Sequence, residues 1–203
     1  MKIKAGIIGG SGYTGIELLR IMRLHPNAEV HAISSRALEG RKVSEVFPNM
    51  HGITELSYSL PDDKALFECD IVFFATPHGV AMNNAKLFLD KNIKVVDLGA
   101  DFRISNASIW SDWYKMEHTQ ESLLKEAVYG QPEIKRDVIK EARLVANPGC
   151  YPTAVLLALK PLLQNNLIDT SNIIADCKSG TSGAGRIANQ ATLFCEITES
   201  FKP

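Results

Sequence analysis

Apolar residues fall along this chain in short runs that alternate with stretches of helical period. Lys2–Ile8, apolar apart from its lysines, predicts a buried strand. Tyr13–Leu24 predicts a helix: Ile16, Leu19 and Arg23 share a line, and Leu18, Ile21 and Met22 widen the apolar face. His25-Pro26-Asn27 stops it. The same reading gives strands at Glu29–Ser34, Ile71–Ala75, Lys94–Asp97, Leu144–Ala146 and Ile173–Lys178. It gives helices at Gly79–Leu89, Tyr151–Leu163 and Ile187–Glu196. Strands that alternate with helices imply an α/β fold with a parallel sheet and right-handed crossovers. Phe102–Gln131 is the least regular stretch and holds both tryptophans, so it reads as a packed excursion from the sheet. Pro148-Gly149 punctuates the chain. We therefore expect a first domain over 1–147 and the start of a second α+β domain over 148–203.

Composition excludes several classes. The 203 residues are 45% hydrophobic and 22% charged, which suits a globular chain and not a disordered one. A net charge of −1 gives no electrostatic support for nucleic-acid binding. The apolar runs fall far short of the ~20 residues that span a membrane. Met1-Lys2-Ile3-Lys4 leads straight to a glycine-rich turn with no signal-peptide pattern, and a cytoplasmic location is expected. No cysteine or histidine pair has zinc-ligand spacing, so no metal site is expected. The four cysteines read as free thiols in a reducing compartment.

Gly10-Ser11-Gly12-Tyr13-Thr14-Gly15 fits G-x-G-x-x-G, and Gly9 adds an overlapping reading. The motif follows a strand and opens a helix, the setting in which glycines let backbone approach a pyrophosphate at a helix N-terminus. A Rossmann-type dinucleotide site follows, with a plain structural turn as the competing reading. At the end of the second strand an NAD site places an acid for the ribose 2′-hydroxyl. Here the chain has Ser34-Ser35-Arg36, which suits a 2′-phosphate. NADP(H) is expected over NAD(H), unless Arg36 is only a solvated cation. Thr76-Pro77-His78-Gly79 follows another strand and lies where such loops line the ligand crevice. His78 is either a general base or a loop hydrogen-bonding group.

Asn147-Pro148-Gly149-Cys150-Tyr151-Pro152-Thr153 joins a strand to an apolar helix. Pro152 suits a first helical turn, which places Cys150 at a helix N-terminus. That position favours the thiolate and makes Cys150 a candidate nucleophile, with a small buried hydrophobe as the alternative. Cys69, Cys177 and Cys195 read as structural. Lys178–Arg186 is rich in glycine and hydroxyls and is either an anion-binding loop or an ordinary turn.

Five segments in this order, Gly9–Gly15, Asp97–Arg103, Ala127–Glu133, Asn147–Thr153 and Lys178–Arg186, resemble the N-acetyl-gamma-glutamyl-phosphate reductases of arginine biosynthesis. The related aspartate-semialdehyde dehydrogenases share the layout with a different cysteine motif. The resemblance implies NADPH-dependent reduction of an acyl phosphate to an aldehyde through a thioester on Cys150. It places Ser11, Gly12, Tyr13 and Thr14 at the pyrophosphate, and Pro77, Ser179 and Gly180 at the cofactor. Arg103 is a candidate contact to substrate carboxylate or phosphate, with a structural ion pair as its other reading, and Asn147 is a further candidate substrate contact. Members of that family are longer and carry a later histidine as general base. None of His25, His31, His51, His78 and His118 occupies that position. The chain thus reads as the N-terminal portion of a protein that is a homo-oligomer at full length, with little reductase activity of its own. Reductases of aminoadipyl or aspartyl phosphate, and a non-catalytic NADP-binding module, remain alternative readings.

Overall fold

A computed structural model describes residues 1–197, which fall into two units that divide between Gly149 and Cys150. The first unit is a seven-stranded sheet, parallel throughout, in the order β3-β2-β1-β4-β5-β7-β6. Its strands are β1 (Ile3–Ile8), β2 (Ala28–Ser34), β3 (Tyr58–Ser59), β4 (Ile71–Phe74), β5 (Lys94–Asp97), β6 (Val128–Tyr129) and β7 (Leu144–Ala146). Its helices are α1 (Tyr13–Met22), α2 (Val43–Val46), α3 (Val80–Leu89), α4 (Ala107–Tyr114), α5 (Glu121–Glu126) and α6 (Pro132–Glu141).

Successive side chains of a strand point to opposite faces, and β1 shows the consequence. Ile7 packs into one core with Ile16, Leu19, Ile33, Tyr58 and Met50, which brings in α1. Ile8 packs into the other with Phe74, Phe88, Trp110, Leu124 and Leu144, which brings in α3, α4 and α5. Both faces of the central strands are therefore covered, which is why they read as unbroken apolar runs rather than alternating ones. Cys69 is buried in the second core, and burial, with the Asp70 charge adding, pushes its thiol up to about 11.

The irregular stretch after β5 is ordered. Within α4, Trp110 is fully buried and donates from Nε1 to the Ala100 carbonyl at 2.8 Å, while Trp113 lies 75% exposed. The Trp110 ring meets Tyr114 and, edge-on, His118 at 4.9 and 4.8 Å between centroids.

The second unit contains α7 (Cys150–Gln164), on which no residue is fully buried among those described. Two expectations fail here. Ile173–Lys178 pairs with no strand among the described residues, although it lines with α7 an open apolar groove of about 370 Å³ bordered by Tyr151, Val155, Leu159 and Ile174. A strand exists only through its ladder, and β propensity without a partner leaves extended chain. Ile187–Glu196 is not a helix but carries one 3-10 turn, Gln190–Thr192. The Asn189 side chain accepts from the Ala191 amide, and Ile187 and Phe194 are 87% and 95% exposed, so no packing rewards a longer helix. Cys177 and Cys195 are consequently exposed rather than packed.

Candidate functional site

Strand order reverses between β1 and β4, the place where parallel α/β sheets open a ligand crevice beyond their carboxyl ends. The Gly9–Gly15 turn leaves β1 at this point. Gly9 and Gly10 amides donate to the Ser34 carbonyl at 3.2 and 2.9 Å, and the Tyr58 hydroxyl donates to the Gly10 carbonyl at 3.4 Å. Gly9 has φ +85°, and a Cβ there would overlap the Ala75 carbonyl oxygen at the end of β4. A Cβ at Gly15 would lie 2.6 Å from Gly10 Cα. Gly12 differs: only the Gly9 carbonyl oxygen lies near its would-be Cβ, at 3.8 Å. Gly12 is the N-cap of α1, and among the described residues no side chain caps the helix from there and no acid sits in its first turn. The turn thus presents open space to bare helix amides, the setting an anion such as a pyrophosphate needs.

At the end of β2 the structure corrects one assignment. Ser34 is fully buried and its Oγ has no hydrogen-bond partner among the described residues, so its carbonyl and not its hydroxyl serves the turn. Ser35 is the hydroxyl beside the loop, its Oγ 2.9 Å from Ser11 Oγ. Arg36 is exposed and makes no ion pair or hydrogen bond with a described residue. Thr76, beyond β4, has a buried Oγ1 that likewise lacks a partner among the described residues, and Pro77 and His78 are exposed. The His78 ring lies 4.9 Å from that of Tyr114.

A network that went unremarked in the sequence joins the loops after β4, β5 and β7. Asp97 is buried at the end of β5 and accepts from the Gly99 amide at 2.8 Å and the Asp101 amide at 3.0 Å. Asp101, also buried, accepts from the amides of Gly79 and Met82. Arg103 donates from Nε to the Asn147 carbonyl at 2.7 Å and from Nη2 to the Leu98 carbonyl at 3.0 Å. The Asn147 side chain donates to the Pro148 carbonyl at 3.0 Å. Arg103 and Asn147, expected at the substrate, are thus brought together at the turn that ends at Gly149. Arg103 holds that turn to the loop after β5 through backbone carbonyls, and it makes no ion pair among the described residues.

Burial pushes the Asp97 carboxyl up to about 7, the Asp101 charge adds to this, and the two amides and Arg103 pull it back. The folded state therefore holds a proton that the unfolded chain has released above about pH 4. Stability from this group is full below about pH 4 and is lost as pH rises through about 7. Comparison with Asp97→Asn isolates it. Urea unfolding from pH 4 to 8 should move the difference by about 2–4 kcal/mol in the variant's favour. A constant difference would contradict the assignment.

In the second unit Cys150 is the first residue of α7 and is exposed, with Pro152 two positions on. Ser179 Oγ donates to the Gly180 carbonyl at 3.1 Å, ahead of a 3-10 turn over Thr181–Ala184.

Residues 4–142 match the family model of the semialdehyde dehydrogenase NAD binding domain, and residues 150–203 match that of the semialdehyde dehydrogenase dimerisation domain. The chain belongs to the semialdehyde dehydrogenase family. It is 62% identical over 99% of its length to an N-acetyl-gamma-glutamyl-phosphate reductase of Ruthia magnifica. It is 54% identical over 98% of its length to one of Thiobacillus denitrificans. The chain spans 59% and 58% of the length of these relatives. Among solved structures, aspartate semialdehyde dehydrogenase II of Vibrio cholerae superposes with a TM-score of 0.62 at 16% identity, over 81% of this chain and 47% of that one. The Candida albicans aspartate semialdehyde dehydrogenase with NADP gives 0.55 at 19%, over 80% and 47%. These two likenesses concern the fold alone. Among the described residues no helix is long and apolar enough to cross a membrane.

Proposed function

We propose that the protein to which this chain belongs reduces N-acetyl-gamma-glutamyl phosphate to the semialdehyde, with NADPH as reductant and phosphate as the released product. The observation that carries the reading is the 62% identity to a reductase of that name across a chain that holds Cys150 at the start of α7. The residues fit the cofactor. The open face of Gly12 and the uncapped α1 take the pyrophosphate, and Arg36, with no partner of its own among the described residues, takes a 2′-phosphate.

The Cys150 sulfur attacks the acyl carbon, a C–S bond forms, the C–O bond to phosphate breaks, and inorganic phosphate departs. NADPH held at the Gly12 face and by Arg36 would supply a hydride to the thioester carbon; the C–S bond would then break, giving the aldehyde and returning the Cys150 sulfur as thiolate. Arg103 ties the Asn147 carbonyl, in the turn that precedes Cys150, to the Leu98 carbonyl after β5, and leaves other N–H groups without a described partner. Those groups suit a carboxylate or phosphate. Assay of the full-length protein on N-acetyl-gamma-glutamyl, aminoadipyl and aspartyl phosphates tests the reading; preference for either of the last two overturns the substrate assignment.

Cofactor choice has its own test on this chain. Arg36→Ala should weaken NADPH binding about tenfold and leave NADH within about twofold, since only the former carries the phosphate. Titration by nucleotide fluorescence measures both. Tighter NADH than NADPH binding by the unaltered chain would refute the assignment.

A further inference from the structure

We infer that Asp101 is a positioning residue for the nicotinamide half of the cofactor site, acting through the Thr76–Gly79 loop; the inference rests on the dinucleotide reading above. Helix α3 starts after Gly79, an N-cap that has no side chain of its own to satisfy the first amides of the helix. The cap comes instead from 22 residues further along the chain. Asp101 Oδ1 and Oδ2 accept from the Gly79 amide at 2.9 and 3.0 Å, and Oδ2 also accepts from the Met82 amide at 2.9 Å.

The carboxylate is only 1% exposed and makes no ion pair among the described residues. Amide donors and the positive end of α3 are what keep it there. Its main chain is held from both sides. Its N–H donates to Asp97 Oδ2 at 3.0 Å, and its carbonyl lies 2.8 Å from His118 Nε2. Trp110 holds the preceding carbonyl, that of Ala100, at 2.8 Å. The carboxylate therefore has one position, and it fixes Gly79.

The far end of the same loop is equally fixed. The Ala75 amide donates to the Ile8 carbonyl at 2.8 Å, and Ala75 lies hard against Gly9. Between these two anchors Pro77 and His78 are exposed at the reversal point of the sheet. Gly79 has a left-handed backbone at φ +85°, where a serine or aspartate cap of its own would be strained, so the cap has to be borrowed. A cap borrowed across β5 does something further, because it ties the loop after β4 to the loop after β5. Those two loops border the second mononucleotide half of a doubly wound sheet, whereas Ser11, Ser35 and Arg36 border the first.

The roles separate with two ligands and the 203-residue chain. NADPH spans both halves, and adenosine 2′,5′-bisphosphate occupies only the first. Asp101→Asn keeps the shape but turns an NH₂ toward an amide N–H and removes the charge. It should weaken NADPH about tenfold and leave the bisphosphate within about twofold. Asp101→Glu keeps the charge, shifts it by one methylene, and should weaken NADPH about threefold with the bisphosphate unchanged. That variant decides the matter if Asp101→Asn does not fold. Parallel weakening of both ligands, or no change in NADPH, overturns the inference. Failure of the unaltered chain to bind either ligand would instead remove the dinucleotide reading beneath it.

Discussion

Gly9→Ala is expected to unfold or severely destabilise the first unit, by about 2–5 kcal/mol, and to remove dinucleotide binding with it. Two costs add at this position. The backbone sits at φ +85°, where an L side chain is strained by about 1–2 kcal/mol. The new methyl group would also overlap the Ala75 carbonyl, a backbone atom that cannot rotate away. Relief would require β1 and β4 to separate at the point where the Ala75 amide bonds Ile8. Gly12→Ala is the informative partner. Its backbone is extended and its would-be methyl group faces open space, so stability should hold within about 0.5 kcal/mol. Dinucleotide affinity should still fall at least about tenfold, because the methyl group occupies the room left for the ligand. Thermal unfolding and nucleotide titration of both variants check this. Equal losses of stability would show that Gly12 serves the fold as Gly9 does.

Cys150→Ala in the full-length protein should lower turnover by at least about 10³-fold while NADPH affinity stays within about twofold. The thiol is the only group in the proposed route that bonds to the substrate, and water cannot stand in for it, because hydrolysis of the acyl phosphate gives an acid and not an aldehyde. The change leaves the glycine turn and Arg36 unaltered, so a fault in cofactor binding is not expected to accompany it. Steady-state rates alongside nucleotide titration decide it. Turnover within about tenfold of the unaltered enzyme would take Cys150 out of the mechanism.

The first 149 residues were largely legible as sequence, and the reason is periodicity. Ile71–Phe74 and Leu144–Ala146 are strands because both faces are covered, and buried strands leave an unbroken apolar trace. The glycine turn was legible because few residues other than glycine satisfy a left-handed backbone and a close approach together. Short α2, the two-residue strands β3 and β6, and the three helices after β5 were not legible: within α4, Trp110 and Trp113 stand three positions apart, yet one is buried and the other exposed. Ile173–Lys178 and Ile187–Glu196 misled for the converse reason. Their propensities are real, but a strand needs a neighbour and a short amphipathic helix needs a surface, and the described residues provide neither.

Ser34 and Ser35 mark the same boundary on a finer scale. Both hydroxyls stand at the end of β2 in the sequence, and alternation along a strand sends one into the core and leaves the other beside Ser11. Asp97 and Asp101 are the larger case. Their spacing of four residues carries no signal outside a helix, and their partners come from the loops after β4 and β5 and from the first turn of α3. By itself the sequence determined which short-range chemistry exists: a glycine turn before a helix, a cation after β2, a cysteine at a helix start. Only the tertiary structure decided which loops that chemistry binds together, because a carboxylate that caps a helix 22 residues earlier is placed by the sheet between them and not by its neighbours in the chain.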